Sequence, residues 1–383
     1  DDEGRAYLVH SYHGAGPLIL HRMSPDGTRL LDDGKEIYRG PVAEGPKLYK
    51  RNGYYYISIP EGGVSTGWQT VLRSRNIYGP YERRQVFPPG SPHQGGIVEL
   101  DNGEAWFLAF KSSGYLGRIC HLNPVRWGED DWPVFGDNGR PVSAWKKPDV
   151  GASYPILRPQ TSDEFEGGTL SPVWQWNHNP VRDAWTLSER PGWLRLKALP
   201  AEKLSAARNT LTGKLWDSAG LIDVRMDASL MKDGQRAGLA FMSGSDFGWV
   251  GVGQGNGVRR ILWGRGEGPV LKDPVIWLRG VNMGDMGRLF YSLDGRTYTD
   301  TGVFFPLVFR FWKGARVAIF SCGPNGGSAD LDYFRYIYGA NPETLGVEDI
   351  ARSVPSVEAE GAFARDRRER ADDGRQRRLR LRR

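Results

Sequence analysis

The sequence predicts an all-β chain, with stacked propeller-type sheets in its first half and a two-sheet β-sandwich in its second. Three observations carry this. Aromatic residues make up 12% of the 383 positions and Gly is abundant at 51, while helix-favouring stretches rich in Ala, Leu and Glu are scarce. A tight turn followed by an aromatic, β-branched run recurs three times within the first 110 residues. Beyond position 162, short alternating runs bounded by Gly and Asp follow one another with few helix signals.

The recurring unit is specific. Asp1-Asp2-Glu3-Gly4 leads into Arg5-Ala6-Tyr7-Leu8-Val9-His10, and Lys50-Arg51-Asn52-Gly53 leads into Tyr54-Tyr55-Tyr56-Ile57-Ser58-Ile59. Leu100-Asp101-Asn102-Gly103 leads in the same way into Glu104-Ala105-Trp106-Phe107-Leu108-Ala109-Phe110. Each reads as a hairpin turn and the strand that leaves it. The turn glycines fall at 4, 53 and 103, a period near 50 residues. That period, with several strands per unit, is the mark of propeller blades, each a small sheet that buries its faces only against neighbours. Closure of a ring takes at least about four blades. The sequence shows about three, the third running through Val125-Arg126-Trp127 and Trp132-Pro133-Val134. The chain also begins without Met inside a turn, so an N-terminal truncation is expected, and the absence of a visible signal peptide carries little weight.

Residues 1–140 are assigned to blades and 141–160, rich in Pro, Lys and Ser, to a linker. The sandwich is assigned to 161–338. Its strands include Trp193-Leu194-Arg195-Leu196, Leu221-Ile222-Asp223-Val224-Arg225-Met226 and Arg316-Val317-Ala318-Ile319-Phe320. Phe290-Tyr291-Ser292 runs into an Asp294-Gly295 turn, as in lectin-like sandwiches. Residues 339–383 lose all patterning and are expected to be a disordered tail.

Charge and cysteine content exclude several partners. Residues 361–383 hold ten Arg against four acids, which accounts for the whole net charge of +6. The rest of the chain is neutral, so neither nucleic acid nor a membrane surface is expected as a partner of the folded body. Two cysteines, Cys120 and Cys322, far apart in sequence, give no disulfide framework and no zinc site. No apolar run approaches the ~18 residues of a membrane span.

Two motifs fail on context. Gly63-Val64-Ser65-Thr66-Gly67 fits the nucleophile-elbow spacing, but Trp68-Gln69-Thr70-Val71-Leu72 continues it as a strand where a helix is required. Gly251-Val252-Gly253-Gln254-Gly255-Asn256-Gly257 misses the dinucleotide-binding spacing and is expected to be a turn between strands. Ala43-Glu44-Gly45-Pro46 is more informative. Gly and Pro fix the backbone after Glu44, directly ahead of a strand. The innermost strand of a blade lines a central pocket, where a carboxyl group suits general-acid work. The competing assignment is an ordinary surface Glu at a turn.

These stretches resemble glycoside hydrolase family 43. Ala43-Glu44-Gly45-Pro46, Tyr54-Tyr55-Tyr56 and Pro60-Glu61-Gly62-Gly63 match the family's segment around its general acid. Pro92-His93-Gln94-Gly95-Gly96 matches a later pocket-lining segment, and Gly117-Arg118-Ile119 through Trp127 the end of the propeller. Trp174-Gln175-Trp176-Asn177-His178, Ala207-Arg208-Asn209-Thr210 and Ala329-Asp330-Leu331-Asp332-Tyr333 resemble the sandwich that follows it in β-xylosidase-type members. The resemblance implies a partial five-bladed β-propeller followed by a concanavalin-A-like β-sandwich. It implies inverting hydrolysis of xylo- or arabino-oligosaccharides, by a β-xylosidase or α-L-arabinofuranosidase.

By the same resemblance, Glu44 would be the general acid, and His93 and Arg118 would bind substrate. The general base and a pKa-tuning Asp match no position and are expected upstream, which leaves the fragment inactive alone. No cofactor is required, although a central calcium ion is compatible with the family. Phe247 and Trp249 are candidates for a loop aromatic over the pocket. An extracellular or periplasmic location is favoured, and oligomeric state stays open. Two rivals remain: a non-catalytic carbohydrate-binding protein, served equally well by aromatic platforms, and an Arg-rich tail that anchors the protein to a polyanion.

Overall fold

The computed structural model describes residues 1–154, 159–324 and 326–339, and these form two compact units that divide between Arg158 and Pro159. The expected tail lies outside the described residues from 340 onward, and part of the expected linker, 155–158, does so too.

The first unit holds three antiparallel sheets. Strands β1 (Ala6–Ser11), β2 (Leu18–Met23) and β3 (Lys35–Tyr38) form one. Strands β4 (Lys47–Arg51), β5 (Tyr54–Glu61), β6 (Trp68–Ser74) and β7 (Glu82–Gln85) form the second. Strands β8 (His93–Glu99), β9 (Ala105–Ser112), β10 (Arg118–Trp127) and β11 (Pro133–Phe135) form the third. Neighbours in each sheet are neighbours in sequence, as the repeat requires. Of the three repeated turns, that at Asn52-Gly53 is the tightest fit to its sequence. Both residues take positive φ, 49° and 74°, and Arg51 pairs with Tyr54 across a two-residue loop.

The inner strands of the middle sheet, β5 and β6, are buried on both faces, which decides how the sheets pack. Along β5, Tyr56 faces a cluster with Val71, Phe87, Phe107 and Phe135 of the third sheet. Its neighbours Ile57 and Ile59 face the opposite way, into a cluster with Leu18, Ala43 and Leu72 against the first sheet. Alternate side chains point to opposite faces of a strand, so one strand feeds two cores. Phe107 stands 4.6 Å from Phe135 and 5.9 Å from Phe87, ring to ring. Tyr56 also donates its hydroxyl to the Asp131 carbonyl at 2.5 Å, tying the two sheets with a polar bond.

The second unit is two seven-stranded antiparallel sheets. One runs in the order Gln175–Trp176, Thr210–Lys214, Arg316–Cys322, Arg236–Ser243, Asp246–Gly255, Val258–Trp263, Gly266–Val270. The other runs Trp185–Thr186, Leu194–Lys197, Ser328–Tyr338, Ala219–Asp227, Val275–Met283, Met286–Ser292, Thr299–Pro306. Ion pairs lace the second sheet, with Arg195 forked onto the buried Asp330 and Arg279 onto Asp223.

Two sequence expectations need correction here. Gly251, Gly253 and Gly255 lie inside the strand Asp246–Gly255, and only Asn256 and Gly257 turn. The reason is close approach: a Cβ on Gly251 would sit 2.0 Å from the Ala237 carbonyl oxygen of the adjacent strand. Trp249 is no loop aromatic. It is buried within the sandwich, its ring 5.7 Å from Phe320, and Phe247 packs against the same cluster. Both cysteines are free, Cys120 exposed and Cys322 buried. No helix among the described residues is long and apolar enough to cross a membrane.

Removing the ring that joins the second and third sheets tests this packing. Phe107→Ala is expected to cost about 3–5 kcal/mol in denaturant unfolding, the range for a large buried aromatic. A cost below about 1 kcal/mol would mean that the three rings do not form one core.

Candidate active site

A hollow opens where two sheets begin their strands. Its lining comprises Glu44, ahead of β4; Pro60 of β5; Gly63 and Val64 in the β5–β6 loop; His93 and Gln94 at the start of β8; Phe110 of β9; and Arg118 at the start of β10. The three residues singled out from sequence, Glu44, His93 and Arg118, therefore stand around one space. Ser65 of the rejected elbow motif lies in the loop between β5 and β6 and is not among the lining residues.

Each side chain is placed by local chemistry. Ala43 is fully buried, Glu44 N–H donates to the Pro60 carbonyl at 3.2 Å, and Gly45 takes a φ of +37°. Chain direction at Glu44 is thereby fixed on both sides, and its side chain is half-buried. A Cβ on Gly45 would come within 3.2 Å of Lys47 Nζ and 3.4 Å of Gln94 Nε2, so these groups crowd the turn after Glu44. Lys47 donates to the Gly45 carbonyl at 2.7 Å, and burial pulls its ammonium below the usual lysine range.

His93 is buried at 5% exposure, and its Nδ1 meets the Ser91 carbonyl at 2.7 Å. A carbonyl only accepts, so in the neutral ring Nδ1 carries the hydrogen and Nε2 presents a lone pair. Gly67 is required beside it, since a Cβ there would come within 2.7 Å of His93 Nε2. Arg118 lays its guanidinium over the Phe110 ring at 4.4 Å, which sets its plane.

The hollow thus offers one carboxyl, one imidazole, one guanidinium and one amide beside an aromatic ring. Several polar groups converging at an aromatic wall suit a polyhydroxylated ligand. Glu44 is the single carboxylate in the lining, and no group of three or more His, Cys, Asp or Glu gathers among the described residues. A central calcium ion takes six to eight oxygen ligands, so this lining with its single carboxyl would have to be supplemented by carbonyl or water oxygens.

Comparison with known proteins decides the family. Residues 1–133 match Glycosyl hydrolases family 43, and residues 162–337 match the Beta xylosidase C-terminal Concanavalin A-like domain. The chain belongs to glycoside hydrolase family 43. A provisionally named beta-xylosidase of Xylanibacter ruminicola is 45% identical over 336 residues, covering 83% of this chain and 62% of its own. A non-reducing end alpha-L-arabinofuranosidase of Bacteroides ovatus is 31% identical over 216 residues, 51% of this chain and 40% of its own. The solved bifunctional GH43-CE protein of Bacteroides eggerthii superposes with a TM-score of 0.76 at 31% identity, over 89% of this chain and 47% of its own. The chain thus spans less than two thirds of the length of these relatives. The three stacked sheets are blades of the family 43 propeller, and the second unit is its concanavalin-A-like sandwich.

In this family 43 chain, Glu61 has no role legible in the sequence motif that contains it, and the structure supplies one. Glu61 is fully buried at the end of β5, just before the loop that carries Gly63 and Val64. It accepts hydrogen bonds from Tyr38 Oη (2.7 Å), Trp68 Nε1 (3.1 Å), Thr70 Oγ1 (2.5 Å) and Arg83 Nη2 (2.6 Å). Burial pushes its carboxyl up, but the bonds from Thr70, Tyr38 and Arg83 outweigh this and hold it below the usual range. Burial and the Glu61 bond in turn push the Tyr38 phenol up to about 12. Because Tyr38 belongs to β3, the carboxylate ties the first sheet to the second. The one available signal was a Glu ending a largely apolar strand.

A folded-state carboxyl held low contributes stability above the unfolded glutamate value of ~4.3 and loses it as pH falls through the folded value. Glu61→Gln is therefore expected to destabilise by about 2 kcal/mol at pH 7. That difference from the parent should shrink steadily below pH ~4. Unfolding free energies of both proteins across pH 3–7 check this, and a difference that stays constant with pH would contradict it.

Proposed function

We propose that the protein to which this chain belongs hydrolyses terminal glycosidic bonds of xylo- or arabino-oligosaccharides, as a β-xylosidase or α-L-arabinofuranosidase, with Glu44 as general acid. The observation that carries this is the convergence of Glu44, His93 and Arg118 on one hollow. The names of the relatives support the substrate class. In this reading Arg118 and His93 Nε2 hold sugar hydroxyls, the guanidinium as a donor and the imidazole as an acceptor. Glu44 gives its proton to the leaving oxygen. The electron pair of the broken bond stays on that oxygen, and Glu44 is left as a carboxylate. Inversion then needs a second carboxylate roughly 6.5–9.5 Å away, on the far side of the bond, to activate water. Glu44 alone supplies a carboxyl to the described lining, so we assign the base to chain outside these residues.

Glu44→Gln in the complete gene product tests the acid role. Rates on xylobiose or an arabino-oligosaccharide are expected to fall by about 10³-fold, and rates on nitrophenyl pentosides, whose leaving group needs little protonation, by far less. Equal losses on both would rule out an acid at position 44. Arg118→Met is expected to lower kcat/KM by about 10–100-fold, the worth of a charged hydrogen bond to substrate. A full-length parent protein that binds pentose by calorimetry yet turns over neither substrate would favour the sugar-binding alternative.

A further inference from the structure

Gln94 breaks two rules of an ordinary strand. Its φ is +60°, in the left-handed region that non-glycine residues rarely occupy. Its side chain also lines the same hollow as that of His93, its immediate neighbour, although successive residues of a strand face opposite ways. The cause is a register shift of β8 against β9 between His93 and Gly96. Such bulges re-aim a side chain and are common beside active sites. Strain of this kind persists only where the surroundings impose it.

The surroundings here are specific. The Gln94 backbone N–H donates to Gln69 Oε1 at 2.9 Å, and Gln69 Nε2 donates to Ser58 Oγ at 2.8 Å. Gln69 and Ser58 are buried at 0% and 1% exposure. A buried amide is costly unless both its ends are paired, and this one is paired by holding the strained residue. At the other end, Gln94 Nε2 meets Glu44 Oε2 at 3.4 Å. That is long for an N–H···O bond, as bonds in an active site without its substrate commonly are.

We infer that Gln94 is a positioning residue for Glu44, locked into its strained backbone by the Gln69–Ser58 pair. The inference rests on reading Glu44 as the general acid. A protonated carboxyl has one oxygen that accepts and one that carries hydrogen. By donating to Oε2, Gln94 assigns the proton to Oε1 and leaves that oxygen to face the departing sugar oxygen. Once the proton has moved, the same N–H remains on the new carboxylate.

The test uses two variants of the complete protein that keep the backbone. Gln94→Gly takes positive φ without strain, and Gln94→Asn tolerates it but is one methylene too short to reach Glu44. Both are expected to fold with an unchanged circular dichroism spectrum. Both should lower kcat on xylobiose by about tenfold or more, the worth of one hydrogen bond to a charged group. KM should stay within about twofold, and dinitrophenyl xyloside should be hydrolysed at nearly the parent rate. Equal loss on both substrates, or no loss on either, overturns the inference. If Glu44→Gln distinguishes the two substrates and the Gln94 variants do not, this inference fails and the acid reading stands. If Glu44→Gln does not distinguish them, the acid reading fails first.

Discussion

Burial of both faces of β5 and β6, the inner strands of the second sheet, is the constraint from which the first unit follows. A sheet with one apolar face can lie against a single partner and present its other face to water. Here Tyr56 and the pair Ile57 and Ile59 point opposite ways into separate cores. The sheet must therefore be sandwiched between two others, and consecutive sheets stack face to face. Stacking in turn brings the beginnings of β4, β8 and β10 near one another, which puts Glu44, His93 and Arg118 on a common hollow.

Polar groups between the sheets fix what apolar packing leaves loose. Hydrophobic contact is non-directional, so it sets proximity more than register. Glu61 adds direction, because its carboxylate satisfies donors from β3, β6 and β7 at once. Gly40 is needed to let it in, since a Cβ there would lie 2.1 Å from Glu61 Oε1. The same logic applies to Gln69, whose two amide ends join Ser58 to the backbone of Gln94. The sandwich uses charge in this way on its second sheet, where Asp330 accepts from both Arg190 and Arg195.

The proposed chemistry rests on a few residues. Catalysis by proton transfer needs a carboxyl held at a defined angle to the leaving oxygen, and small displacements are costly. At Glu44 the backbone is held by Pro60 and Gly45 and the side chain is touched by Gln94. His93 and Arg118 are likewise held, one by the Ser91 carbonyl and the other by the Phe110 ring.

The sequence by itself determined the class of the fold and the period of the blades and drew attention to Glu44, while resemblance to family 43 motifs added His93 and Arg118 as candidates. All of these are local signals: a turn dipeptide, an alternating run, a Glu-Gly-Pro step, a short motif. Only tertiary structure decided that Gln94 turns into the hollow beside His93, that Gln69 holds it there, and that Glu61 reaches back to Tyr38. Those contacts join residues 20 or more positions apart, through a bulge and a positive φ that no periodicity announces. Tertiary structure likewise placed Trp249 in a core and Gly251 in a strand, because burial and close backbone approach depend on the neighbouring strand.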